Sequence, residues 1–152
     1  MMPSQISGQI AADRLSWVAR MLETIRDLPL DDRDAFFADE RNIWTADSCL
    51  RRALEALFDL GRHILSRGFG EAPSEYKEVA TLLGKYDVLK PVEASLLRVL
   101  AGYRNRLVHF YHEVNAQELF DICARGLNDV EQIANAYRRW IQQHPDKIDG
   151  TL

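Results

Sequence analysis

The spacing of apolar residues is the feature that most restricts what this chain can fold into. Apolar side chains recur every three or four residues along nearly the whole sequence, and no stretch shows the period-2 alternation of a half-buried strand. Segments with this spacing form helices that bury one face. The spacing therefore predicts an all-α protein, and the short connections between its helices favour an antiparallel, up-and-down bundle.

Turn and cap residues divide the chain into helical segments. Proline and glycine end helices, and polar residues with a short side chain cap their first turns. Residues 31–41 form an acidic turn or short connecting helix, and the last helix is predicted to run without a break from Asn115 to Pro145. The predicted boundaries lie at Pro29, Gly68, Gly70, Ser74 (as an N-cap), Pro91, Asn115 and Pro145.

The length of 152 residues suits one helical domain, predicted over residues 1–145, with residues 146–152 as a flexible tail. No apolar stretch is long enough for a membrane span, and the first ten residues lack the pattern of a secretion signal. Cys49 and Cys123 match no metal or redox spacing. These features predict a cytoplasmic protein that has no contact with a membrane. The net charge of −4 means that any interaction with nucleic acid must depend on a local site.

One stretch, residues 102–111, combines an arginine, a histidine and a tyrosine between apolar helices: Arg104, His109 and Tyr111. On a straight helix, five residues turn through about 500°, so Arg104 and His109 would point about 140° apart. They can share a pocket only if the helix kinks or ends near His109. A structural interpretation also exists, because cationic side chains stabilise the negative end of a helix.

The sequence RNRLVHFY at residues 104–111 resembles the R-x4-H-x-Y signature of HepT-like proteins (the former DUF86 group) in the HEPN superfamily. All three defining positions are intact, and the resemblance extends over residues 44–143. In particular, Ala101 to Asn105 resembles the "G-[FY]-R-N" entry to the family motif. The resemblance implies a HEPN-type helical bundle that forms a homodimer.

The same resemblance implies an endoribonuclease toxin that needs no metal or other cofactor. RNA supplies the 2′-hydroxyl as the nucleophile; His109 transfers protons and Arg104 binds phosphate. Asn105 and Tyr111 would support this pocket, and Tyr111 would accept AMP from an MntA-like minimal nucleotidyltransferase, the antitoxin. An AMP group there adds negative charge where RNA phosphate must bind. The RNA substrate would be of a class such as tRNA or mRNA.

Two alternatives remain open. The chain can be a non-catalytic HEPN module that docks a nucleotidyltransferase or binds a nucleotide, or a structural bundle whose motif is a coincidence. One histidine cannot easily serve as acid and base in one concerted step. A second copy of the chain would supply the second histidine, and His112 is an alternative proton carrier within one chain.

Overall fold

A computed structural model describes residues 4–109 and 114–150 of the chain. Seven α-helices lie within these ranges, together with one 3-10 turn and two strands of two residues each. The helices are α1 (Gly8–Arg26), α2 (Arg33–Ala38), α3 (Glu40–Phe69), α4 (Tyr76–Lys85), α5 (Pro91–Leu107), α6 (Ala116–Arg125) and α7 (Leu127–Gln143). The 3-10 turn is Pro145–Lys147, and the strands are β1 (Ile6–Ser7) and β2 (Ile148–Asp149).

Most predicted helix boundaries are confirmed. α1 ends before Pro29, and Pro91 opens α5. Gly70 follows α3 with φ of 69°, the left-handed conformation that favours glycine. The predicted boundary at Gly68 was wrong, because Gly68 lies inside α3. The predicted N-cap at Ser74 was wrong. α4 begins two residues later with Glu75 as its N-cap, and the Ser74 carbonyl instead accepts a hydrogen bond of 2.8 Å from Arg62.

The last predicted helix is two helices, because the chain breaks at Gly126 between α6 and α7. The Gly126 amide donates a 2.7 Å hydrogen bond to the Ile122 carbonyl. A side chain at this position would place its Cβ 3.0 Å from the same oxygen, so glycine fits where a larger residue would strain the turn. The predicted Asn115 cap is confirmed, since its side chain accepts from the Glu118 amide at 2.8 Å.

The buried side chains form a core that extends from Ile6 to Ile148 and confirms the predicted all-α antiparallel bundle. α1 packs along α3, and α4 packs along α5. Tyr137 of α7 is fully buried and donates to the Leu57 carbonyl of α3 at 3.1 Å. Gly61 makes this approach of α7 possible, because a Cβ there would lie 2.8 Å from the Tyr137 hydroxyl.

The segment predicted as a flexible tail contributes a strand in its described part. Ile148 pairs with Ile6 in a two-stranded parallel sheet, and its side chain is 9% exposed. Gly8 follows β1 where a Cβ would lie 2.7 Å from the Asp149 carbonyl oxygen. The prediction missed this pairing because two residues are too few to give a periodic pattern.

In residues 4–109 and 114–150, no helix is both long enough and apolar enough to cross a membrane. Both cysteines are free thiols. Cys123 lies in the core, and burial raises the pKa of its thiol to about 12. A thiol with such a pKa stays protonated near neutrality and is a poor nucleophile.

Candidate active site

The C-terminal end of α5 carries the residues that the sequence singles out. Apolar positions of α5, among them Leu97, Leu100 and Leu107, are buried against the bundle and fix the rotation of the helix about its axis. The helix ends at Leu107, and the His109 amide donates to the Arg106 carbonyl at 3.0 Å in the turn that follows. The helix therefore ends two residues before His109. Val108, between the helix and His109, keeps helical angles (φ −60°, ψ −29°), so a pocket shared by Arg104 and His109 stays a prediction.

Arg104 is held by residues from two other helices. Its Nη2 lies 3.4 Å from Glu55 Oε1 on α3, and its guanidinium carbon lies 4.5 Å from the ring centroid of Tyr76 at the start of α4. The side chain of Arg104 is 23% exposed. Its Nε is buried and has no hydrogen-bond partner among the described residues. One long hydrogen bond and one ring contact thus orient this cation and leave part of it open to solvent.

The other predicted site residues differ in their surroundings. Asn105 and His109 are exposed at the same end of α5. Arg106, between them, forms a 2.7 Å ion pair with Glu118 of α6 and so joins the end of α5 to the next helix. Tyr111 and His112 lie outside the described residues.

The sequence did not lead to a prediction for three residues near Arg104: Glu55, Tyr76 and Arg62. The sequence does contain an indication that Glu55 is special, because this carboxylate stands between two apolar residues of α3, Leu54 and Ala56, that are buried. The sequence contains no such indication for Tyr76, because a tyrosine at the start of a helix is common. The Arg62 guanidinium carbon lies 4.7 Å from the centroid of the same Tyr76 ring.

No group of three or more His, Cys, Asp or Glu side chains in the described ranges is placed to hold a metal ion. The described residues at this end of α5 offer a guanidinium, an imidazole, an amide, a carboxylate and an aromatic ring. A guanidinium binds phosphate oxygens through a planar fork of N–H groups, and an imidazole transfers protons near neutral pH.

Comparison with known proteins links this site to one family. The model of the family "Ribonuclease HepT-like" matches residues 18–137. A tRNA nuclease HepT of Aphanizomenon flos-aquae is 27% identical over 148 residues, which cover 94% of this chain and 99% of that protein. An mRNA nuclease HepT of Shewanella oneidensis is 27% identical over 59% of this chain and 67% of its own length.

A solved structure shows the same fold. The structure of a tri-AMPylated Shewanella oneidensis HEPN toxin in complex with MNT antitoxin superposes with a TM-score of 0.76 at 23% identity, over 86% of this chain and 97% of that chain. The family match includes Arg104 and His109 and spans α3 to α6 completely. The chain belongs to the ribonuclease HepT-like family.

Proposed function

We propose that this chain is a metal-independent endoribonuclease toxin of a HepT/MntA-type toxin–antitoxin system, with Arg104 and His109 as its catalytic residues. The observation that carries the proposal is the end of α5. Arg104 is oriented there by Glu55 and Tyr76, and the helix stops before His109, in a chain of the ribonuclease HepT-like family. Arg104 is partly open to solvent and His109 is exposed, and a guanidinium and an imidazole are groups that RNA cleavage uses.

The reaction uses the 2′-hydroxyl of RNA as the nucleophile. As the 2′ oxygen bonds to phosphorus, its proton passes to one imidazole, and the bond from phosphorus to the 5′ oxygen breaks as a second imidazole protonates that oxygen. The products are a cyclic 2′,3′-phosphate and a 5′-hydroxyl. Arg104 binds the non-bridging oxygens, whose negative charge grows in the transition state. Asn105 is exposed one residue away and supports the same pocket.

Two imidazoles are needed if one acts as acid and the other as base. We infer a homodimer in which each copy supplies one His109 to a shared cleft. The exposure of His109 and Asn105 in a single chain agrees with this arrangement, since a second copy can cover them.

Tyr111 is the proposed acceptor of AMP, and an MntA-like nucleotidyltransferase is the proposed antitoxin. The fold shared with a tri-AMPylated HEPN toxin in complex with MNT antitoxin supports this assignment. The two curated relatives act on tRNA and on mRNA by their names, so both are candidate substrates. An AMP group near Arg104 would compete with RNA phosphate for the same cation.

The test compares wild-type protein with His109→Ala in the presence of EDTA, using total RNA and tRNA resolved on a denaturing gel. Mass spectrometry first establishes that Tyr111 carries no modification. Cleavage by the wild type alone is the expected result. Absence of RNA cleavage by the unmodified wild type would contradict the proposal and favour a non-catalytic module that docks a nucleotidyltransferase.

A further inference from the structure

Two arginines from different helices share one aromatic ring next to the proposed active site. The guanidinium carbons of Arg62 on α3 and Arg104 on α5 lie 4.7 and 4.5 Å from the ring centroid of Tyr76. Their separation is therefore at most the sum of these two distances. The ring itself is fixed, because Tyr76 packs 4.7 Å from the ring of Phe58, which is fully buried in the core.

The charge of Arg62 is not neutralised by an ion pair in the described part of the chain. Its Nη2 donates to a neutral group, the Ser74 carbonyl, at 2.8 Å. Glu75 and Glu78 are exposed in the turn that begins α4, and among the described residues neither is hydrogen-bonded to Arg62. Arg62 thus presents a positive charge that no ion pair among the described residues neutralises.

Two like charges on one ring repel each other, and the ring offsets only part of that repulsion. A bound anion that contacts both guanidinium groups removes it. A guanidinium packed on an aromatic face keeps the N–H groups at its edge available for the oxygens of a phosphate.

We propose that Arg62 is a second RNA-binding residue of this protein, which takes a backbone phosphate next to the one that Arg104 holds, with Tyr76 as the residue that positions both cations. The inference rests on the proposed ribonuclease function and deepens it. It gives the bound strand two contact points, Arg104 at the end of α5 and Arg62 on α3, with Tyr76 at the start of α4 between them.

A cavity on another side of α5 does not compete as an RNA-binding surface. It has a volume of about 260 Å³ and lies between α3, α5, α6 and α7. Its lining contains three carboxylates, Glu118, Asp121 and Asp129, against one cation, Arg125. Such a lining repels phosphate. The Tyr76 side of α5 also has carboxylates, namely Glu55, Glu75 and Glu78, but there two arginines share one ring and only Arg104 contacts a carboxylate among the described residues.

The test measures RNA binding rather than cleavage. All variants carry His109→Ala so that the RNA stays intact, and the ligand is a labelled single-stranded RNA oligonucleotide followed by fluorescence anisotropy at several salt concentrations. Arg62→Ala removes the cation, and Arg62→Gln removes the charge while keeping a donor for the Ser74 carbonyl. Arg41→Ala is the matched control, because Arg41 lies on the same helix, about 30 Å from Arg62 at 1.5 Å per residue.

Loss of one phosphate contact to a single strand lowers the slope of log K against log salt by about 0.7. We expect this change for both Arg62 variants, with affinity about tenfold weaker at low salt. Arg41→Ala should keep the slope of the parent. A circular dichroism melt checks that each variant is folded. If Arg62→Ala does not fold, the comparison is made with Arg62→Gln.

Equal affinity and equal slope for the Arg62 variants and the parent would overturn the proposal, while cleavage by the wild type would leave the proposed function intact. Weaker binding of AMP with unchanged binding of RNA would also overturn it, since Arg62 would then hold a nucleotide. If the parent binds no RNA and the wild type cleaves none, the ribonuclease function itself fails and the RNA site fails with it.

Discussion

The two ends of α5 each carry a contact between a glutamate and an arginine, and the two contacts differ in kind. At the N-terminal end, Glu93 accepts two hydrogen bonds of 2.8 Å from Arg139 of α7, and its side chain is 7% exposed. At the C-terminal end, Arg104 reaches Glu55 through one contact of 3.4 Å, and the two side chains are 23% and 33% exposed.

This difference separates an arginine that stabilises the fold from one that is available to a ligand. The hydrogen bonds from Arg139 hold the pKa of Glu93 below its usual value, as expected for a carboxylate with a satisfied partner. The side chain of Arg139 is 33% exposed, but its charge is neutralised by a carboxylate that it contacts through two short hydrogen bonds. Arg104 keeps most of its donors, because Glu55 takes one at long distance and Tyr76 orients the rest.

The largest expected effect is on RNA cleavage. Arg104→Ala should lower the cleavage rate by about 10²- to 10³-fold, the usual loss when one stabilising donor is removed from a transition state. Arg139→Ala should leave the rate per folded molecule unchanged, because Arg139 lies at the other end of α5 and contacts Glu93. Single-turnover cleavage of RNA at a temperature where both variants are folded measures the two rates. A comparable loss in both variants would remove the distinction between the two ends.

For the free energy of unfolding, the order of the two variants should be reversed. Arg139→Ala leaves the buried carboxylate of Glu93 without its partner, which costs about 3 kcal/mol of unfolding free energy. Arg104→Ala removes a partly exposed pair and a ring contact, and should cost about 1 kcal/mol. Urea unfolding followed by circular dichroism gives both values. If Arg104→Ala is the more destabilising variant, then Arg104 is a structural residue in the first place.

The fold was accessible from the sequence because it depends on local spacing. The stripe from Leu50 to Leu65 specifies a helix whatever it packs against, and Gly70 and Pro91 mark ends that follow from backbone sterics. The break at Gly126 was missed, since the apolar spacing continues across it.

The site was accessible only in part. The motif identified Arg104 and His109 by resemblance, and α5 ends at Leu107, close to the predicted position. The partners Glu55 and Tyr76 lie 49 and 28 positions from Arg104 in the sequence. Their approach depends on how α3, α4 and α5 pack together, which apolar spacing does not determine. Pairs across helices of this kind need the three-dimensional structure.

The pH dependence of stability tests the role of Glu93 at the N-terminal end of α5. A carboxylate with a lowered pKa in the folded state stabilises the fold above its unfolded pKa, near 4.5, and this stabilisation is lost as the pH falls through the folded value. The wild type should therefore lose stability below about pH 4.5, and Glu93→Gln should show a smaller pH dependence there. Thermal unfolding between pH 3 and 6 measures the difference, with Glu55→Gln as the control for the other end. An identical slope in wild type and Glu93→Gln would contradict the stabilising role of this pair.

The smallest expected effect on stability comes from the protonation of His63. It must be separated from the effect of protonating Glu93. His63 Nε2 accepts a 2.9 Å hydrogen bond from the Ser7 amide, so the bond requires the neutral ring. Burial lowers the pKa of His63 below its usual 6.5, with smaller contributions from Arg67 and Arg14 that outweigh the opposite influence of Asp149.

Because the folded ring resists protonation, the unfolded chain binds more protons as the pH falls below about 6.5. The wild type should therefore lose stability from about pH 6.5 downward, in a window above that of Glu93, and no further change from this group is expected at higher pH. In His63→Gln the amide oxygen can still accept from Ser7 but does not titrate, so this upper window should become flat while the lower one persists. The expected amplitude is about 1 kcal/mol, the scale of one hydrogen bond. If both windows vanish together in His63→Gln, a single unfolding event near β1 controls acid stability, and the Glu93 pair is not an independent contribution.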